Sequence, residues 1–186
     1  SFARLPHLRR VCFLGVEKHR GMYSVPEILS MSVMTDDAEY QARQDSLDPW
    51  DAINMQYTSG TTGFPKGVML THVGVGLNGY WIGRNQRFTD EDRVCLPVPL
   101  FHCFGCVLGV SACVNHGACM VILEAYNPLH VLAAVDSERC TALYGVPTMF
   151  LAELEHKMFK RFDVSSLRTG IMAGSVCPGP LMRRVV

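Results

Sequence analysis

Residues 57–67 read YTSGTTGFPKG, the stretch around which the rest of the chain is organised. Its glycines let main-chain N–H groups face an anion without an intervening side chain. Four hydroxyl side chains add donors, and Lys66 adds a mobile positive charge that can reach the outer phosphates of a nucleotide. Pro65 stiffens the end of this loop next to Lys66, because the proline ring fixes its φ angle. The stretch therefore predicts a phosphate-binding loop between two strands, a buried one at 52–57 and a short one at 68–70.

This loop differs from the Walker phosphate loop, in which the lysine follows a glycine directly and precedes Ser or Thr at the start of a helix. Here Pro65 precedes Lys66, and Gly67 follows it. The alternative is a flexible polar surface loop, the ordinary interpretation of a Gly/Ser/Thr cluster. Eleven specified positions favour phosphate binding over that alternative.

Apolar segments alternate with helix-forming segments along the chain. Short apolar runs predict strands at 9–15, 94–98, 118–123, 141–145 and 169–173. Capping residues, first-turn prolines and apolar spacing predict helices at 24–31, 36–46, 73–88, 104–116, 127–139, 147–156 and 180–186. This alternation is typical of an α/β fold, with a mostly parallel sheet and flanking helices.

The composition excludes several classes of protein. Of 186 residues, 48% are hydrophobic and 18% are charged, which indicates a globular chain. Seventeen basic residues balance seventeen acidic ones, so no overall field attracts nucleic acid or an anionic membrane. No apolar run reaches the roughly 20 residues of a transmembrane segment, and no secretory signal is present, which predicts a cytoplasmic protein. The eight cysteines lie mostly in apolar segments and are expected to be reduced core residues.

The segment YTSGTTGFPKGVMLTH, residues 57–72, resembles the phosphate-loop signature of the adenylate-forming (AMP-binding) superfamily. That superfamily contains acyl-CoA synthetases, adenylation domains of peptide synthetases, and luciferases. Later segments agree with its motifs in the expected order: PLFHCFG at 99–105, LYGVPTMF at 143–150 and MAGSVCP at 172–178. The last of these resembles the fatty acyl-CoA synthetase branch, especially enzymes similar to acyl-CoA synthetase family member 2.

The resemblance implies a fragment of a medium- or long-chain fatty acyl-CoA ligase, a lipid-metabolic enzyme. Such a ligase uses ATP with Mg²⁺ to convert a carboxylate into an acyl adenylate and pyrophosphate, and then transfers the acyl group to coenzyme A. The sequence has no match to the family's acidic motif, ribose-binding aspartate or C-terminal catalytic lysine. We therefore expect residues 1–186 to be a partial AMP-binding domain within the large N-terminal domain, without the C-terminal lid domain and inactive alone.

The resemblance also assigns site residues. The phosphates of ATP are assigned to Thr58, Ser59, Gly60, Thr61, Thr62, Gly63, Phe64, Pro65 and Lys66, with Lys66 also counted as catalytic. His102 is implied as a catalytic and substrate-binding gate between the acyl pocket and the thiol entry. The wall of the acyl pocket is assigned to Tyr144, Gly145, Val146 and Pro147. The segment beside adenine is assigned to Ala173, Gly174 and Ser175, where Ala173 replaces the commoner glycine.

Each assignment has an alternative. A single histidine such as His102 is often a hydrogen-bonded core residue, and residues 144–147 also suit ordinary packing between a strand and a helix. The substrate could be an aryl acid or an amino acid, and the chain could be a nucleotide-binding module without catalysis. A metal site built on the Cys/His cluster at 102–106 lacks the matched second cysteine pair of a zinc pattern, so we predict no metal ligands.

Overall fold

The structure, a computed structural model, describes residues 6–58 and 63–186. These residues form two compact units that divide between Asp48 and Pro49. The elements of the first unit are β1 (Cys12–Phe13), β2 (Tyr23–Ser24), α1 (Val25–Met31), a 3₁₀ turn (Ser32–Met34) and α2 (Asp37–Asp45). Those of the second are β3 (Ala52–Thr58), β4 (Lys66–Thr71), α3 (His72–Asn85), β5 (Arg93–Leu96), a π-helical segment (Phe104–Ser111), α4 (Ala112–His116), β6 (Cys119–Ile122), α5 (Pro128–Ser137), β7 (Ala142–Gly145), α6 (Pro147–Leu154), a 3₁₀ turn (Phe159–Arg161), β8 (Thr169–Met172) and α7 (Gly179–Val185).

The helix starts follow the local capping signals of the sequence. Asp36 accepts the Ala38 N–H at 2.8 Å before α2, and Asn127 accepts the Leu129 N–H at 2.9 Å before α5. These bonds satisfy N–H groups that have no partner within the helix. The predicted helices are confirmed to within a few residues at either end. No helix in the described ranges is long and apolar enough to cross a bilayer.

The second unit is built on a four-stranded parallel sheet with the strand order β6-β5-β7-β8. Successive residues of a strand point to opposite faces, and the core divides accordingly. Leu96 and Tyr144 belong to one buried cluster, while their neighbours Cys95 and Leu143 belong to another, together with Val131 of α5. The predicted α/β fold with a mostly parallel sheet is thereby confirmed.

Two of the predicted strands differ from expectation. Residues 9–15 form only the two-residue strand β1, and Leu14 beside it is 88% exposed. The strand predicted at 52–57 is present as β3, but it is mostly exposed, because it pairs with β4 in a separate two-stranded sheet. An apolar run indicates a strand that is able to be buried, and only the tertiary packing decides whether another layer covers it.

The cysteines also divide by position in the fold. Cys95, Cys113 and Cys140 are buried, as predicted for core thiols. Cys12 and Cys119 are exposed, so the prediction is wrong for these two. Both lie in strands whose other side chains are partly open to solvent, β1 and the edge strand β6.

Two glycines of α3 are required because this helix packs closely against the π-helical segment and α4. A Cβ atom at Gly79 would lie 2.6 Å from the main-chain carbon of Ser111, and one at Gly83 would lie 2.4 Å from Nδ1 of His116. We expect Gly79→Ala to destabilise the chain by about 1–3 kcal/mol, because the backbone must move apart. Chemical denaturation followed by circular dichroism measures the change.

Gly76 is the matched control, because a Cβ atom there would meet nothing within 4 Å. In the same helix, Gly76→Ala is expected to stabilise the chain by about 0.5–1 kcal/mol, since alanine loses less backbone entropy than glycine. Equal effects of the two substitutions would contradict the packing argument.

Candidate functional site

The predicted phosphate loop closes a β-hairpin. β3 and β4 are antiparallel, and Thr58 pairs directly with Lys66 across the two strands. The hairpin thus holds the Lys66 backbone next to the hydroxyl-bearing Thr58, although seven residues lie between them in the sequence. The predicted phosphate ligands Ser59, Gly60, Thr61 and Thr62 lie outside the described residues.

The described part of the loop is open to solvent. Gly63 has a φ of 88°, a left-handed conformation that favours glycine. Phe64 is 80% exposed, and Pro65 and Lys66 are exposed as well. Lys66 forms no ion pair with any residue in the described ranges. Its ammonium group is therefore available to an external anion.

The parallel sheet has a topological switch point between β5 and β7. From β5 the chain turns to β6 on one side, and α5 then carries it back across β5 to β7 on the other side. The loops that follow β5 and β7 therefore run in opposite directions and leave a crevice at the carboxyl ends of the strands. Ligands of open α/β sheets bind in such a crevice.

Three groups of predicted site residues converge on this edge of the sheet. His102 lies in the segment that leaves β5, Gly145 ends β7, and Ala173 follows β8. The Ala173 N–H donates to the Gly145 carbonyl at 3.2 Å. A Cβ atom at Gly174 would lie 3.1 Å from Cγ1 of Val146. The predicted adenine segment and the predicted pocket wall are thus neighbours.

Ser175 completes the predicted adenine segment and is exposed at the same edge. Pro147, by contrast, is buried as the first residue of α6. Its position matches the alternative of ordinary packing between a strand and a helix. No hydrogen bond or ion pair in the described part of the chain joins Lys66 to these residues.

His102 is exposed, which disfavours the alternative of a core histidine. The Phe104 N–H donates to its Nδ1 at 3.0 Å, and Sγ of Cys103 lies 3.7 Å from the same nitrogen. Because a main-chain N–H can only donate, Nδ1 must carry the lone pair, and the neutral ring holds its proton on Nε2. No described residue bonds Nε2, so this N–H is available to a ligand in the crevice.

Tyr144 was predicted as part of the pocket wall, but its side chain lies in the core. It is fully buried, and its Oη accepts a hydrogen bond from Nε2 of Gln86 at 2.6 Å. Burial raises the pKa of Tyr144 to about 12. Its ring stacks on that of Phe104, with 5.9 Å between the centroids.

Sequence reasoning missed Phe104 and Gln86 as parts of this site. Gln86 is 58 residues from Tyr144 in the chain, and no local pattern connects the two. Phe104 lies two residues after His102 in the motif that carried the family resemblance, so the sequence shows that the two are close. It does not show that the Phe104 N–H donates to Nδ1 of His102.

An open groove of about 400 Å³ lies at the same edge of the sheet. It is lined by the segments 97–101 and 122–126 and by Met149. Most of these side chains are apolar, and the Tyr126 hydroxyl is held by the Met149 carbonyl at 3.0 Å. The groove is therefore suited to an apolar ligand group, and its lining ends at Phe101, one residue before His102.

The chain matches the family described as AMP-binding enzyme over residues 11–186. It is 51% identical over 183 residues to the putative acyl-CoA synthetase YngI of Bacillus subtilis, covering 98% of this chain and 33% of that protein. It is 36% identical over 187 residues to the mitochondrial medium-chain acyl-CoA ligase ACSF2 of Danio rerio, covering 99% of this chain and 31% of that protein. The chain thus spans about a third of the length of these relatives.

Solved structures agree with this result. ATP-bound MatB from Rhodopseudomonas palustris matches with a TM-score of 0.67 and 27% identity, covering 74% of this chain and 27% of that one. The O-succinylbenzoate coenzyme A synthetase MenE of Bacillus subtilis, in complex with AMP, matches with a TM-score of 0.64 and 28% identity, covering 74% and 28%. The family match over most of the chain, together with the shared fold, leads to one conclusion: the chain belongs to the AMP-binding enzyme family.

Proposed function

We propose that the chain is the phosphate-binding and acyl-binding part of an AMP-forming ligase that joins a medium- or long-chain fatty acid to coenzyme A. The observation that carries the proposal is the position of Lys66. Lys66, which forms no ion pair with any described residue, starts β4 directly across from Thr58, at the end of a loop rich in glycine and hydroxyl groups. The arrangement suits the phosphates of ATP, because the hydroxyl-bearing Thr58 and the positive charge of Lys66 are neighbours, and no described carboxylate pairs with Lys66.

In the first half-reaction, a carboxylate oxygen of the acid attacks the α-phosphorus of ATP. A new bond forms between that oxygen and phosphorus, and the bond to the bridging oxygen breaks as pyrophosphate leaves with the electron pair. Lys66 offsets the negative charge that builds on the leaving group, and the Thr58 hydroxyl donates to a phosphate oxygen. Mg²⁺ bound to the nucleotide supplies further charge neutralisation.

In the second half-reaction, the thiol of coenzyme A loses its proton to solvent and its sulfur attacks the acyl carbonyl carbon. The bond from that carbon to the phosphate oxygen then breaks, and AMP leaves with the electron pair. Negative charge develops on the carbonyl oxygen during this attack. The Nε2–H of His102 bonds no described residue and is suited to donate to that oxygen. We assign this role to His102 together with the control of access between the acyl group and the thiol.

The apolar groove supports an aliphatic acid over a charged amino acid. An aryl acid is the second candidate, since MenE is named for an aromatic substrate. A nucleotide-binding module without catalysis is the third.

The cytoplasmic location also stays a prediction, because the ACSF2 relative is named as mitochondrial.

The test is acid-dependent exchange of labelled pyrophosphate into ATP, measured with the full-length ligase that carries this chain. We expect exchange with fatty acids, and Lys66→Ala is expected to lower it about a hundredfold, the usual effect of removing one donor to a developing charge. Lys66→Arg retains the charge and is expected to keep part of the activity.

Lys160→Ala is the matched control, because Lys160 is an exposed lysine on the 3₁₀ turn at 159–161. It should leave the exchange unchanged. Exchange only with aryl or amino acids would replace the proposed substrate. If ATP binds but no acid supports exchange, the chain belongs to a nucleotide-binding module instead.

A further inference from the structure

We propose that Tyr144 and Phe104 are positioning residues that fix the tautomer of His102, and that Tyr144 does not contact the substrate. The inference rests on the proposed function, because it concerns how the Nε2–H of His102 is presented at the crevice. Tyr144 was predicted to form part of the acyl-pocket wall. We propose instead that it connects the end of α3 to the segment that carries His102.

The first link is the turn that carries His102. The His102 N–H donates to the Pro99 carbonyl at 3.2 Å, and the Cys106 N–H donates to the His102 carbonyl at 2.9 Å. The main chain on both sides of the histidine is therefore held. Among the described residues the imidazole is contacted at Nδ1 by the main-chain N–H of Phe104 at 3.0 Å and, at 3.7 Å, by Sγ of Cys103.

The second link is the side chain of Phe104, which is only 7% exposed. Its ring lies almost parallel to that of Tyr144, at an angle of 24°. Stacking of this kind fixes the orientation of both rings. Because the ring of Phe104 cannot move freely, its main-chain N–H stays directed at Nδ1 of His102.

The third link anchors Tyr144 itself. Its hydroxyl accepts a hydrogen bond from Gln86, which immediately follows α3, and the ring is completely buried. A buried hydroxyl with a partner resists displacement, since breaking the bond would leave a polar group without water. The Gln86 bond thus supports the Tyr144 ring, which burial and stacking also hold in place.

The consequence is a single tautomer of neutral His102. If Nδ1 accepts from Phe104, the ring proton stays on Nε2, where it can serve as a donor to the acyl carbonyl oxygen. If the link is loosened, Nδ1 can carry the proton for part of the time, and Nε2 then presents a lone pair to an electron-rich oxygen. The tautomer therefore decides whether His102 attracts or repels the oxygen.

Nitrogen NMR of the chain labelled with ¹⁵N at histidine tests the inference, with His102→Gln used to assign the signal. In the unchanged chain we expect the Nε2–H tautomer alone. Tyr144→Leu removes the ring and is expected to lower the ratio of the Nε2–H to the Nδ1–H tautomer at least about fivefold, the effect of one lost hydrogen bond. Tyr144→Phe keeps the ring and is expected to retain most of the ratio.

Tyr126→Leu is the matched control, because this tyrosine bonds the Met149 carbonyl and packs on the other buried cluster. It should leave the tautomer of His102 unchanged. If Tyr144→Leu fails to fold, Phe104→Met removes the stacking while it keeps the main-chain N–H, and it should shift the ratio in the same direction. An unchanged ratio in either folded variant would overturn the proposal, as would an Nδ1–H tautomer in the unchanged chain.

Kinetics of the full-length ligase give a second readout. Tyr144→Leu is expected to lower kcat for thioester formation while KM for ATP stays the same, and Tyr144→Phe is expected to restore it. Equal losses in both variants would indicate a merely structural role. The NMR measurement does not require acyl transfer. A ligase that is inactive with every acid would therefore contradict the proposed function, while the tautomer of His102 would still be tested by NMR.

Discussion

Replacement of Asp92 by asparagine is expected to lower the free energy of unfolding by about 1–3 kcal/mol, the usual cost of leaving donors to a buried group without their acceptor. The Asp92 side chain is 4% exposed, and its Oδ2 accepts from Nη2 of Arg168 at 2.6 Å. Nε of Arg168 donates to Oδ1 at 3.1 Å, so the contact is bidentate. The Thr141 hydroxyl and the Thr89 N–H also donate to this carboxylate.

Asparagine has nearly the same shape as aspartate, so the expected loss of stability comes from the changed charge and hydrogen bonding and not from packing. Donors face both oxygens of Asp92, so the NH₂ group of an asparagine must face a donor in either orientation. The same Arg168 also donates to the carbonyls of Gln86 and Arg87, at 2.9 and 2.8 Å. The hydrogen bonds of Asp92 and Arg168 therefore connect the residues that follow α3 to the residues that immediately precede β5, β7 and β8.

Chemical denaturation of the chain measures this loss, and Glu138→Gln is the matched control. Glu138 forms an ion pair with Arg93 in which both side chains are more than a third exposed, so its loss is expected to cost less than about 1 kcal/mol. Similar losses in the two variants would contradict the argument.

The pH dependence of the Asp92 pair gives an independent check. Burial raises the pKa of Asp92, but the bonds from Arg168, Thr141 and Thr89 together outweigh burial and lower it. The stabilisation by Asp92 is therefore present above the carboxyl pKa of the unfolded chain, and it is lost as the pH falls through the lower folded value. Wild type and Asp92→Asn are expected to converge in strongly acidic solution.

Glu153 is expected to produce the opposite dependence. It is 5% exposed in α6, and no described residue forms a hydrogen bond or ion pair with its carboxyl group. It lines a cavity of about 210 Å³ whose other walls are mostly apolar, with Arg184 as the charged residue among them. Burial raises the pKa of Glu153 from 4.5 to about 8.

The folded chain thus binds this proton more tightly than the unfolded chain does. The contribution of Glu153 to stability is complete below the unfolded pKa of about 4.5, and it is lost as the pH rises through the folded pKa of about 8. Each pH unit in this window costs up to about 1.4 kcal/mol. At pH 8 we expect Glu153→Gln to be more stable than wild type by about 3–5 kcal/mol, relative to their difference at pH 4.5.

Denaturation curves at several pH values between 4.5 and 8 measure this difference. Glu155→Gln is the control on the same stretch of chain, because Glu155 is 61% exposed and lies 3.6 Å from Arg184. Its effect is expected to stay within about 1 kcal/mol throughout. A pH-independent difference between Glu153→Gln and wild type would show that the carboxyl group is hydrated or paired in solution.

Local signals in the sequence were sufficient for most of the elements. The caps Ser24 and Asn127 and the first helical residue Pro147 were predicted correctly, because capping and first-turn proline chemistry involve only neighbouring residues. The strands of the parallel sheet were recognised from short apolar runs for a similar reason. Burial was predicted less well, as the exposed β3 shows, because exposure depends on packing partners that are distant in the chain.

The sequence by itself determined the family, the α/β fold class and the phosphate-loop motif around Lys66, because residue identities within short segments are enough for these. Only the tertiary structure decided that His102 is open while Tyr144 faces the core, and that Nδ1 of His102 accepts from Phe104. Directions of side chains and long-range partners arise when separate segments pack together, and no spacing in a linear sequence records that packing.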